Sequence, residues 1–378
     1  DRFKEVNDTY GHDAGDMLLR QISDRLISTS LTSDTLYRLG GDEFAFLSSG
    51  LTESRAVSRA QKICEFISQP YTIYNTIINI TTCVGIVISE NERRSDYLYK
   101  FADLALYEAK NEGSGKIKVF RQRMLEKLQE SRTLEHDMAL AIVNKEFVVY
   151  YQPIVDSFSQ KIYSYEALIR WVHPLKGLLS PDSFIPVAEK TGMINEMGKA
   201  VLEIACREAA GWAVPAKISV NVSPVQLSSK AFAGIVLTIL KETGLPPDRL
   251  ELEVTESSLF TESATPINTL NKLRALGVKI SIDDFGTGYS SLSRLSRLAF
   301  DKIKIDKSFV HSISTQEDAL TIIKLITGMA KSLNMKAVAE GVETQEQLTR
   351  LQALGCDFAQ GYLFGKPQPC IDEEIRNG

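Results

Sequence analysis

Along residues 1–120 the apolar positions switch between helical spacing and short β-type runs. GDMLLRQISDRLIS, AVSRAQKICEFIS and YLYKFADLALYEAKNEG set apolar residues three and four apart and predict helices, the last ending at Gly113. TLYRLGGDEFAFL predicts a hairpin around its glycine pair, and INITTCVGIVI predicts a strand. This is an α+β pattern. Asp1 to Asn7 read as the end of a strand entering a turn, with nothing upstream to pair with, so the domain is expected to begin before residue 1.

Residues 121–144 contain neither Gly nor Pro and put Met124, Leu128, Leu134, Met138 and Ile142 at helical spacings, as one connecting helix or two short ones. Eight β-rich runs follow: FVVYYQPIV, YSYEALIRW, AKISVNVS, RLELEVTES, VKISIDDFG, FDKIKIDKSF, KAVAEGVE and FAQGYLF. Between them lie helical stretches such as AVLEIACREAAGWA, AFAGIVLTILKET, PINTLNKLRALG and TIIKLITGMAKSLN. Strands alternating with helices in this way predict a (β/α)8 barrel, an α/β fold of the TIM type. The first connection, DSFSQK, is too short for a crossover helix, so the first two strands should pair antiparallel and the barrel is a modified one. The expected division is 1–121 for the α+β domain, 122–140 for the connecting helix and 141–378 for the barrel.

Composition changes this picture little. With 44% hydrophobic and 24% charged residues in 378, the chain can bury a core in each part. A net charge of −5 supplies no basic field for polymeric nucleic acid, yet a small anionic ligand stays open if divalent cations neutralise an acidic cluster. Cys64, Cys83, Cys206, Cys356 and Cys370 are widely spaced, with no C-x-x-C pair, and read as reduced structural thiols. No apolar run is long enough to span a membrane and the first residues do not resemble a signal peptide, so a cytoplasmic location is expected.

In such barrels the reactive side chains sit where strands run out into βα loops. Here those ends carry Glu166, Asn221, Glu253, Asp283 with Asp284, Lys304, Glu340 and Gln360, on strands two to eight in turn. Each alone reads as a surface or turn residue. Converging carboxylates, however, repel one another and normally persist where divalent cations neutralise them. Hard oxygen donors without His or Cys select Mg2+ or Mn2+ over Zn2+. Two such ions sharing a carboxylate suit phosphodiester hydrolysis.

These residues resemble the EAL phosphodiesterase domain, whose motif is matched by Glu166-Ala167-Leu168, over the chain from about Leu134 onward. The resemblance implies hydrolysis of cyclic di-GMP to linear pGpG at a two-metal site. It makes Glu166, Asn221, Glu253 and Asp283 ligands of the first metal, and Asp283, Asp284 and Glu340 the group serving the second. It assigns Lys304 to orienting the attacking water with Gln360 nearby, Gln152 and Arg170 to ligand contacts, and Glu343 to the second acid of the strand-seven motif. Asp283 to Leu292, DDFGTGYSSL, resembles the family's loop coupling dimerisation to metal binding, with Gly286 and Gly288 for freedom and Glu256 as its anchor. A homodimer through this domain is implied. The alternative of a different class is a catalytically silent cyclic di-GMP receptor, which would need Gln152 and Arg170 but not the full ligand set.

Gly40-Gly41-Asp42-Glu43-Phe44, with FKEVNDTYGHDAGD before it and ADLALYEAKNEG after it, resembles the GGDEF domain of diguanylate cyclases. That implies an α+β nucleotide-cyclase-like domain with a GTP site: Asn7 and Asp16 for guanine, Asp42 for metal beside Glu43, and Lys110 for phosphate. The match departs in three ways. A metal-binding Asp is implied two residues before Asp1; the Arg-x-x-Asp product site falls on Leu31 to Asp34 and lacks its Arg; and Ser114-Gly115 replace Arg-Asn. The domain is therefore expected to be regulatory, a bifunctional cyclase and phosphodiesterase being the further alternative.

Overall fold

The computed structural model describes residues 1–31, 34–89, 95–259, 264–286, 300–313 and 317–369. The chain divides into two compact units, Asp1–Arg132 and Thr133–Gly378.

The first unit opens with helices α1 (Phe3–Tyr10) and α2 (His12–Ser28). Asp1 to Asn7 thus enter a helix, not the end of a strand. The apolar stripe of α1 is too short to read from sequence, since Val6 alone is buried and no side chain caps the amino end. Strands β1 (Asp34–Gly40) and β2 (Glu43–Ser48) form the expected antiparallel hairpin, with Gly40 opposite Glu43. Gly41 has φ 50°, a backbone position that glycine takes without cost, which allows so tight a turn. Next come α3 (Glu53–Ile67), the pair β3 (Tyr71–Ile73) and β4 (Thr76–Ile78), β5 (Val84–Ile86), α4 (Ser95–Asn111) and β6 (Ile117–Val119). Of the expected strand INITTCVGIVI, Ile78 ends β4 and Val84–Ile86 form β5, which lies parallel to β6. One face of α2, through Leu18, Ile22 and Leu26, packs with Tyr71, Ile73 and Ile78 to form the core. A single helix, α5, runs Gln122–Asn144.

The second unit is built on β7 (Phe147–Asp156), β8 (Ile162–His173), β9 (Gly177–Leu179), β10 (Lys217–Val222), β11 (Leu250–Thr255), β12 (Lys279–Phe285), β13 (Lys302–Ile305), β14 (Lys336–Ala339) and β15 (Phe358–Gln360). The sheet runs β10-β11-β12-β13-β14-β15-β7-β8, and β8 pairs back onto β10 to close an eight-stranded ring; β9 extends β8 outside it. β7 is antiparallel to both neighbours, β8 and β15, while the remaining ring pairs are parallel. The hairpin start expected from the short first connection is present. An eight-stranded barrel carrying helices on its crossovers is the modified TIM architecture.

Strand alternation explains what this ring holds. Outward residues such as Ile218, Val220, Leu252, Val254, Ile280, Ile282, Ile303 and Ile305 pack on Val201, Leu202, Val236, Ile239, Leu270, Leu273 and Ile323 from the covering helices. Burying each such side chain stabilises the fold by about 1.5–3 kcal/mol. The residues between them point inward and are polar: Ser219, Glu251, Glu253, Ser281, Asp283, Lys302 and Lys304 are all buried. The covering helices thus stabilise a barrel whose interior is reserved for charge.

Candidate functional site

Lys304 is the centre of the upper interior layer. Its Nζ lies 2.5 Å from Glu253 Oε2, 2.6 Å from Glu340 Oε1, 3.1 Å from Asp283 Oδ1 and 3.6 Å from Glu166 Oε2. These groups come from β8, β11, β12, β13 and the end of β14, so closure of the ring is what brings them together. Burial alone would lower the Lys304 pKa; Asp283, Glu166, Glu253 and Glu340 outweigh it and hold the ammonium well above its usual value. Burial pushes Glu253 well above the carboxylate range, with Lys304 opposing and Glu166 and Asp283 adding. Glu340 is pushed up to about 8, again by burial first, against the pull of Lys304. One buried cation facing four acids leaves an excess of negative charge.

Glu166 is held from three sides. Asn221 Nδ2 donates to its Oε1 at 2.6 Å, Gln360 Nε2 donates to its Oε2 at 2.6 Å, and Lys304 faces the same oxygen. Because Asn221 uses its nitrogen here, its carbonyl oxygen is the atom left for a ligand. Gln360 Nε2 also donates to Gln152 Oε1 at 3.0 Å, and Gln152 Nε2 donates to Gly365 O at 3.1 Å. Arg170 lies on the same face of β8 as Glu166, its guanidinium 5.7 Å from the Tyr150 ring, and its Nη1 donates to Ile169 O.

Consecutive residues of a strand normally face opposite ways, yet Asp283 and Asp284 are brought to one place. The cause is a local irregularity: Ile282 pairs with Ile303 but Phe285 with Ile305, so β12 carries one residue more than β13 opposite. A bulge of this kind re-aims side chains. Asp284 takes it up with φ 53°, a conformation Asp tolerates better than most residues. Its amide donates to Asp283 Oδ1. Among the described residues, Asp283, Asp284 and Glu340 offer ligand oxygens all within 4.8 Å of one another. Burial, then Asp283, then Asp306 raise the pKa of Asp284.

Glu343 is exposed, with His311 Nε2 3.8 Å from its Oε1. Glu256, buried, faces the start of the expected loop: Gly286 N lies 3.5 Å from its Oε2. Residues 287–292 of that segment, Gly288 included, are outside the described residues, as is Cys370.

Sequence reasoning missed three features. Asp306 caps helix Lys307–Ser312 through Ser308 N and acts on Asp284; its signal was its place directly after the Lys304 strand. Glu251 and Lys302 form a buried ion pair, 2.7 Å apart but out of line for a hydrogen bond, one layer beneath the site. The spacing of two in Glu251-x-Glu253 and Lys302-x-Lys304 was its signal. The third is the Gly365 carbonyl on Gln152, which no local pattern announces.

In the first unit, Asp42, Lys110 and Ser114 line one surface depression with Asp1, Phe3, Lys4 and Asp8. Asp42 and Glu43 are exposed at the hairpin turn, and Asp16 is exposed on α2. Asn7 is not among the lining residues, and its Oδ1 is buried against Gly15, where a Cβ would meet it at 1.9 Å. Asp34, the surviving acid of the Leu31–Asp34 segment, is taken by Arg59, Ser48 Oγ and Leu31 N.

A closed barrel with hard oxygen donors crowded on one interior layer defines an acidic site suited to divalent cations. Comparison with known proteins gives the family: residues 135–367 match the EAL domain and residues 1–116 the diguanylate cyclase, GGDEF domain. The chain belongs to the EAL domain family, preceded by a GGDEF domain. It is 41% identical over 372 residues to an uncharacterized signaling protein of Caulobacter vibrioides, covering 98% of this chain and 46% of that protein. It is 39% identical over 375 residues to the bifunctional diguanylate cyclase/cyclic di-GMP phosphodiesterase MucR of Pseudomonas aeruginosa, covering 98% of this chain and 55% of MucR. The chain thus spans about half the length of these curated relatives. The solved structure of PaMucR phosphodiesterase in complex with c-di-GMP is similar at TM-score 0.61 and 41% identity, covering 63% of this chain and 98% of that one.

Proposed function

We propose that the barrel hydrolyses cyclic di-GMP to linear pGpG with Mg2+ or Mn2+, and that the GGDEF domain regulates it. The observation that carries this reading is the gathering of Glu166, Glu253, Asp283 and Glu340 around Lys304, with Asp284 added by the β12 bulge. The donor set fits a metal: hard oxygens only, an excess of negative charge, and a buried Glu253 Oε1 without a hydrogen-bond partner. Glu166, Asn221, Glu253 and Asp283 would hold one ion, and Asp283, Asp284 and Glu340 the other. When bound, the ions supply charge neutralisation and acidified water for attack at phosphorus.

The chain's own residues do the rest. Lys304 donates to the attacking water and keeps the surrounding acids from repelling one another apart. Asn221 and Gln360 fix the orientation of Glu166, so its oxygens meet a ligand without reorganisation. Arg170 at the rim offers a planar cation to the substrate's phosphate. The named activity of MucR and the cyclic di-GMP complex of its phosphodiesterase support the substrate assignment. We further read the barrel as the homodimerising part of the protein, and the depression around Asp42 and Lys110 as a GTP site.

The test is to incubate the purified chain with cyclic di-GMP and Mg2+ or Mn2+ and separate the nucleotides chromatographically. Formation of pGpG is expected. Its absence at micromolar enzyme would overturn the reading in favour of a silent receptor.

A further inference from the structure

Gln152 has both ends of its amide engaged inside the protein. It is 8% exposed, and the two groups in line with it, Gln360 and Glu166, are 4% and 5% exposed. The chain of contacts runs from a backbone carbonyl to a ligand oxygen: Gly365 O accepts from Gln152 Nε2, Gln152 Oε1 accepts from Gln360 Nε2, and Gln360 Nε2 donates onward to Glu166 Oε2. A carbonyl can only accept, so Gly365 decides which way the Gln152 amide is turned. Were that amide reversed, two NH2 groups would face each other and Gln360 would lose a partner.

The segment that supplies the carbonyl is itself tied down. Tyr151 N donates to Gln368 O at 2.7 Å and Gln368 N to Tyr151 O at 3.0 Å, so residues 365–368 are held against the middle of β7. Upstream, Val342 N donates to Gln360 O and Leu363 N to Val342 O. Gly361 makes this approach: a Cβ there would lie 2.1 Å from Val342 O. Residues 361–368 thus hold two things at once, the amide of Gln152 and the turn that follows Glu340.

We propose that Gln152 is a positioning residue for the metal site, which aligns Glu166 through Gln360 under the control of the Gly365 carbonyl. This rests on reading the acidic layer as a metal site. Residues that orient metal ligands typically contribute about 10–100-fold in metal affinity.

The experiment titrates Mn2+ alone into the full chain by calorimetry, for the parent, Gln152→Met, Gln360→Met and the double variant. Methionine keeps the volume and removes the hydrogen bonds, so these variants retain the packing. Gln152→Met is expected to weaken Mn2+ about 10–100-fold. Gln360→Met should weaken it similarly and the double variant no further, because the two act in series. Unchanged Mn2+ affinity in Gln152→Met would overturn the inference while leaving the metal site standing. Additive losses in the double variant would also overturn it. A parent chain that binds no Mn2+ would overturn both the inference and the reading beneath it.

Discussion

At the residue scale, the central fact is that one cation faces four acids. Lys304 cannot neutralise Glu166, Glu253, Asp283 and Glu340 together, and that excess is the basis for proposing a divalent cation there. Glu166→Ala would remove one proposed metal ligand and free Asn221 and Gln360 to turn away, so we expect turnover of cyclic di-GMP to be abolished; a rate comparable to the parent's in a pGpG assay would contradict the assignment. Asp34 offers a separate test in the first unit. Its hydrogen bonds to Arg59 hold the carboxyl well below the usual range. A depressed folded pKa gives stability that is present above the unfolded value, about 3.9, and is lost as pH falls towards the folded one. Asp34→Asn should therefore lower the melting temperature of the first unit near neutrality, with the gap from the parent narrowing below about pH 3.9. A gap independent of pH would refute that account. The strand-end acids were legible because strand alternation and barrel topology dictate where such residues go. Asp34 was legible only as a remnant, since its partner Arg59 lies 25 positions away on a helix face that sequence does not orient.

At the scale of elements, β11 and β13 each carry two charged residues into the barrel, one layer apart. The upper pair, Glu253 and Lys304, belongs to the site, and the lower pair, Glu251 and Lys302, is sealed beneath it against Tyr163 and Phe358. Breaking a buried pair strands a charge, whereas replacing both members by apolar residues does not. Lys302→Met should accordingly destabilise the barrel by about 3–5 kcal/mol in chemical denaturation, and Lys302→Met with Glu251→Leu should recover most of that loss. Equal losses in single and double variants would mean that the pair does not act as a unit. The elements themselves were mostly legible, because long helices and buried parallel strands have strong periods. α1 was misread because its eight residues show one buried side chain, and β9 escaped because Gly177–Leu179 is too short to carry a pattern. The bulge in β12 was likewise invisible: Asp283-Asp284 looks regular until its pairing with β13 shows the extra residue.

At the scale of the whole molecule, the chain is two units joined along one helix, α5, whose residues fall on both sides of the division at Arg132 and Thr133. The site described above draws every group from the second unit. A fragment beginning at Gln122, which keeps α5 intact, should fold and cleave cyclic di-GMP without the GGDEF domain, with regulation alone lost. An inactive but folded fragment, beside an active full chain, would show instead that the first unit is needed for catalysis. What sequence could not supply at this scale is long-range closure. Gln360 reaches Glu166 across 194 positions and Gln152 reaches Gly365 across 213, contacts that exist only once the ring is complete.

The dependence of cleavage on added metal tests the account most directly. After removal of divalent ions with a chelator, the chain should not cleave cyclic di-GMP. Titrating in Mg2+ or Mn2+ should restore pGpG formation to saturation, and Glu253→Gln should shift that titration to higher metal concentration or abolish it. Cleavage that persists without metal, or a titration unmoved in Glu253→Gln, would contradict the reading of the acidic layer as the metal site.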